Sequence, residues 1–86
     1  MTDDIDTRRR RAAYRCAHRG TKEMDFMLGR YAQAKLPELV DPELAHFEQF
    51  VALQDPQLQV WLLSPDAITE ATYAGLVADV RKFHGL

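Results

Sequence analysis

"HRGTKEMDFMLGRY", residues 18–31, is the stretch on which the reading of the fold rests. Gly20 stands where the end of one helix favours a left-handed residue. Thr21 follows with a side-chain oxygen suited to capping the next helix. Met24, Met27, Leu28 and Tyr31 then fall at i, i+3, i+4 and i+7, the apolar stripe of an amphipathic helix. Glu23 and Asp25 lie near its start, where negative charge is favoured by about 0.3–1 kcal/mol. The segment therefore predicts a sharp corner between two helices. Turn chemistry alone does not use Arg19 and Lys22, and it needs only one of the two acids.

Outward from this corner the chain reads as helices punctuated by proline and glycine. Upstream, Arg8 to about His18 carries Ala12, Ala13, Cys16 and Ala17 as a narrow stripe of small residues. Residues 1–7 are acidic and are expected to form a disordered tail outside a single domain spanning residues 8–86. Downstream, Pro37 should end the second helix. Asp41-Pro42 reads as an N-cap with proline in the first helical position, and Asp55-Pro56 repeats that signal. The first pair opens a helix with Leu44, Phe47, Phe50, Val51 and Leu53 on its apolar face. The second opens a short helix carrying Leu58, Trp61 and Leu62, broken at Ser64-Pro65; Trp61 shares a face with the two leucines and is expected in the core. A last helix is predicted from about Thr69 to His84, with Tyr73, Leu76, Val77 and Val80 in register and Gly85 ending it. Nothing alternates with period two for long, so the expected fold is all-α, a compact bundle of about five short helices.

The chain has 86 residues, 47% hydrophobic and 28% charged. That is a composition suited to one folded domain of modest stability rather than to a disordered chain. There is no apolar run near the ~20 residues that span a bilayer. "MTDDID" resembles neither a secretory signal nor a mitochondrial presequence. A single cysteine excludes an internal disulfide and suits a reducing compartment. The expected location is the cytoplasm, with no membrane partner and a monomeric state.

The net charge of −2 conceals an asymmetry. Arg8 to Lys35 holds nine Lys or Arg against two acids, whereas Leu36 to Val80 holds eight acids and no Lys or Arg. A field of this kind steers encounters with an oppositely charged surface. The run Arg8–Arg11 invites a reading as a small nucleic-acid-binding regulator, but four consecutive helical positions point to every side and the acidic remainder would repel phosphate. No nucleic-acid partner is therefore expected.

Catalytic signatures are missing. The sequence has no G-x-S-x-G, no Walker loop and no G-x-G-x-x-G. Cys16 and His18 are two apart on a helix and face different sides. Cys16, His18, His46 and His84 match no zinc spacing. They are expected as surface histidines and a half-buried thiol, with no metal.

Two segments together resemble one family. "RGTKEMD" (Arg19–Asp25) is similar to the R-G-x-x-E-x-D signature of the small flavinylation assembly factors of succinate dehydrogenase, called SdhE in bacteria and succinate dehydrogenase assembly factor 2 in mitochondria. "FVALQDPQLQVWLL" (Phe50–Leu63) resembles that family's L-x-x-x-D-P-x-L-x-x-W-L segment, with Asp55, Pro56, Leu58, Trp61 and Leu62 in the matching places. Thr21 and Met24 depart from the commoner methionine and leucine but leave the charged signature intact. The resemblance runs from about Arg10 to Phe83, and without a mitochondrial presequence the bacterial branch is expected.

It implies a chaperone rather than an enzyme. Such a protein binds the flavoprotein subunit of succinate dehydrogenase, in some bacteria also that of fumarate reductase, and promotes covalent attachment of FAD to a histidine there. The FAD belongs to the client, and no tight FAD binding by this chain is expected. The implied contact is Arg19, Gly20 and Glu23, with Asp25 as a further signature residue and Lys22 and Phe26 beside them. On this reading Gly20 would permit close backbone approach, Arg19 would pair with an acid or carbonyl of the partner, and Glu23 would hydrogen-bond near the flavin site. Phe26 lies off the Met24–Tyr31 stripe, which leaves two places for it: an exposed anchor, or packed under the first helix.

Overall fold

The computed structural model describes residues 4–64, 66, 68 and 71–86. The described residues form five α-helices and one short 3-10 turn, with no strand. The helices are α1 (Ile5–Ala17), α2 (Lys22–Lys35), α3 (Glu43–Val51), α4 (Asp55–Leu63) and α5 (Ala71–Phe83), and the 3-10 turn is Leu36–Glu38. The all-α expectation holds.

Helix α1 starts earlier than its sequence suggests. The Asp4 carboxylate accepts from the Thr7 amide at 2.7 Å, and Ile5 packs against the core. Ile5–Thr7 are thus the first helical turn rather than tail, while residues 1–3 lie outside the described set. Arg8 donates to both Asp41 oxygens (2.6 and 2.9 Å) and to Glu48 Oε1 at 2.5 Å. Arg9 donates twice to the Leu39 carbonyl. These bonds fasten α1 to the connection ahead of α3 and to α3 itself.

That use of Asp41 corrects a second expectation. Its carboxylate is held chiefly by Arg8, which lowers it from the ordinary carboxylate value, with a lesser bond to the Ala45 backbone in the first turn of α3. Pro42 occupies the N-cap, with no side-chain cap bond. Asp55 is likewise the first residue of α4 rather than its cap, which is Gln54.

The stripe of α2 behaves as its spacing predicts: Met24, Met27, Leu28 and Tyr31 are all buried. Small residues let α1 lie close upon α2. A Cβ added at Gly29 would come within 3.5 Å of the Ala17 backbone. Phe47 and Phe50 from α3, Leu58, Trp61 and Leu62 from α4, and Val77 and Val80 from α5 complete one core. Pro37 ends α2 by way of the 3-10 turn. Gly85 closes α5 at φ +76°, where the Leu86 and Gly85 amides reach the Arg81 and Lys82 carbonyls, a Schellman ending. Helix α4 stops at Leu63 with Ser64 as its C-cap, where the Ser64-Pro65 break is expected, while Pro65 itself and the expected start at Thr69 fall outside the described residues.

Candidate functional site

The corner between α1 and α2 is built from both ends of the chain's motif pair. Thr21 caps α2 as expected, its hydroxyl accepting from the Met24 amide at 3.3 Å. Gly20 does not act as a left-handed helix stop. Helix α1 ends at its C-cap His18, and Gly20 follows two residues later at φ +156°. Its need for glycine is different: a Cβ there would sit 3.3 Å from Asp55 Oδ2 at a φ that other residues rarely adopt.

Arg19 corrects the expectation most sharply. Its side chain is only 6% exposed. Nε donates to Asp55 Oδ1 at 2.6 Å, Nη2 donates to the Leu53 carbonyl at 2.8 Å, and Nη1 donates to the Val51 carbonyl. One guanidinium therefore closes the free carbonyls at the end of α3 and the acid at the start of α4. A planar fork with donors on all three nitrogens suits that task, and a lysine could not repeat it. Asp25 also turns inward, its Oδ1 accepting from the Arg19 amide at 2.5 Å. Arg19 and Asp25 thus form a latch with Asp55, 36 positions along the chain from Arg19. Sequence reading missed Asp55 as part of this site, because an acid before proline looks like a helix cap.

The latch leaves a short outward face. Thr21, Lys22 and Glu23 are exposed. Glu23 has no hydrogen-bond or ion-pair partner among the described residues. Phe26 is 54% exposed, so the exposed alternative holds rather than packing beneath α1. Its ring lies 5.3 Å from that of His84, and the Arg30 guanidinium sits 5.4 Å from its centroid. Trp61, by contrast, is in the core.

The remaining chemical candidates are scattered. Cys16 is fully buried rather than half-buried, because α1 turns that side onto the core. Burial pushes its thiol up to about 12, against the pull of the Arg19 and Arg15 charges. His18 stacks on Tyr14, His46 on Tyr73, and His84 Nε2 donates to the Met27 carbonyl at 2.8 Å. Among the described residues no three His, Cys, Asp or Glu groups are placed to share a metal ion. Of the arginine run, Arg8 and Arg9 are committed to bonds within the fold, so it offers no single phosphate-facing stripe.

Residues 10–84 match the family described as Sdh5, flavinator of succinate dehydrogenase. The chain belongs to this family. It is 37% identical over 60 residues to the FAD assembly factor SdhE of Acetobacter pasteurianus, a match covering 70% of this chain and 55% of that protein. Against the FAD assembly factor SdhE of Xylella fastidiosa it is 26% identical over 65 residues, 76% of this chain and 67% of that one. The chain thus spans little more than half the length of the first of these relatives. Both are named as assembly factors and neither as an enzyme. The Sdh5-family match takes in the whole latch together with the outward Lys22, Glu23 and Phe26. No helix among the described residues is long and apolar enough to cross a membrane.

Proposed function

We propose that this chain is a non-enzymatic assembly factor that binds the flavoprotein subunit of succinate dehydrogenase and promotes covalent attachment of FAD to it. The fumarate reductase flavoprotein is a second client of the same chemistry. The observation that carries the reading is the exposed, unpartnered Glu23 on a corner whose other signature residues are locked inward. An acid freed from internal duty and held on a rigid turn is suited to meeting donors on another protein. Preorganisation of this kind lowers the cost of binding.

The flavin–histidine bond forms within the client, and the flavin stays there. The helper's task is to favour the arrangement of the client in which the two reactants are aligned. Alignment alone can supply much of a barrier. It works only if the helper binds that arrangement better than the others. Glu23 and Lys22 make the polar contact, and Gly20 keeps the turn low enough for a close approach. Arg19, Asp25 and Asp55 act from within by fixing the turn. The chain acts as a monomer, one copy to one client. Nucleic acid is not a partner: two of the four arginines that suggested it are spent within the fold.

The test is covalent flavin on the client. The gene is deleted in its host, the proteins are denatured and separated, and flavin fluorescence is read at the flavoprotein band. Wild type, Glu23→Ala and Gly20→Arg are then restored at equal abundance. The band should fade on deletion and return in full only with the wild type. A band unchanged by deletion refutes the reading.

A further inference from the structure

Beyond the turn, the outer face of α2 continues without interruption to the end of α5. Lys22, Phe26 and Arg30 stand at i, i+4 and i+8, one row along the helix. Beside the row lies a groove of about 310 Å³ lined by Phe26, Arg30, Gln33, Ala34, Phe83 and His84. Phe26 and Phe83 remain 54% and 42% exposed. Two large aromatic rings left open on so small a surface mark a place that another molecule covers. The walls are held in position: His84 is tied to the Met27 carbonyl and packs against both phenylalanine rings. Arg30 lies over Phe26. The lining carries no acid and one fixed cation, with Lys22 further along the same row.

We infer that this groove is the second half of the client contact, receiving an apolar side chain of the flavoprotein with a neighbouring carboxylate on Arg30. The assignment rests on the function proposed above. Continuity points to that occupant, because the row begins at Lys22, beside Glu23, so a chain that meets the turn runs on to the aromatic rings. Charge complementarity specifies its chemistry, since within the groove an acid-bearing apolar segment meets the Arg30 cation and no acid in the lining. Aromatic residues and arginine are enriched in interfaces relative to the rest of a protein surface.

Titration calorimetry of the full chain with the purified flavoprotein subunit tests this. Phe26→Ala and Arg30→Glu should each weaken binding by about 30-fold, the loss typical of an anchor residue. Arg30→Lys, which keeps the charge, should stay much closer to wild type. Melting temperatures should move by only a few degrees in all three, since Arg30 is exposed and Phe26 gives up only its partial contacts with His84 and Arg30. Wild-type affinity in Phe26→Ala and Arg30→Glu, with Glu23→Ala alone losing binding, overturns the groove assignment and leaves the assembly-factor reading standing. If the two substitutions instead abolish self-association in sedimentation and spare client affinity, the occupant is a second copy of this chain and the inference is wrong. If wild type itself fails to bind the subunit, the functional reading falls and the groove assignment with it.

Discussion

Replacing Asp55 by alanine should unfasten the corner from its far side. The Arg19 guanidinium, 6% exposed, would keep only the Val51 and Leu53 carbonyls and lose its counter-ion. Removing one partner of a buried pair costs about 3–5 kcal/mol. The Asp55 side chain is 25% exposed, so water can replace part of what it supplies, and about 2–3 kcal/mol is expected. For a domain of this size total stability is about 4–13 kcal/mol. The melting temperature should therefore drop by about 10–20 °C. Thermal melts followed by far-ultraviolet circular dichroism measure it. Arg19→Met should cost a similar amount, and the double variant should cost much less than the sum, with a coupling near 2 kcal/mol. Asp55→Asn, which keeps an acceptor but not the charge, should fall between wild type and Asp55→Ala. A drop below about 3 °C in Asp55→Ala, or simple additivity in the cycle, would refute the latch.

Glu23→Ala should behave in the opposite way: a stability loss of no more than about 1 kcal/mol, that of one acid at a helix N-terminus, but a clear loss of client flavinylation, and a loss of stability as large as that of Asp55→Ala would place Glu23 in the latch instead. Gly20→Ala should cost about 1–3 kcal/mol, because its Cβ presses on Asp55 Oδ2 at a positive φ; a wild-type urea midpoint would show that the turn yields freely. Cys16 should resist thiol reagents in the native state and react only on unfolding. Its folded pKa of about 12 lies above the ordinary 9.0, so the stability it contributes is present in full below pH 9 and is lost as pH rises from there towards 12. Urea midpoints measured across that range should fall less steeply in Cys16→Ala than in wild type.

Much of this molecule is written locally. The apolar period of α2, the Thr21 cap, the stop at Pro37 and the Gly85 ending all depend on residues within a turn or two of one another, and all appear where the sequence puts them. The burial of Trp61 follows in the same way from its face of α4. The two signature segments could also be recognised in the linear chain. Their relation to each other could not. Asp41 and Asp55 each stand before a proline and each look like caps, yet each serves an arginine of the first helix or of the corner after it, 33 and 36 positions away. An ionic side chain has no periodicity to betray its partner, and several acids were equally available to every arginine. Packing α1 against α2 and the α3–α4 junction selects the pairs. That packing turns Arg19 inward, where a sequence reader would send it to a partner, and leaves Glu23 facing outward. Local periodicity thus determined the helices, and tertiary packing decided which charges hold the fold and which are free to act.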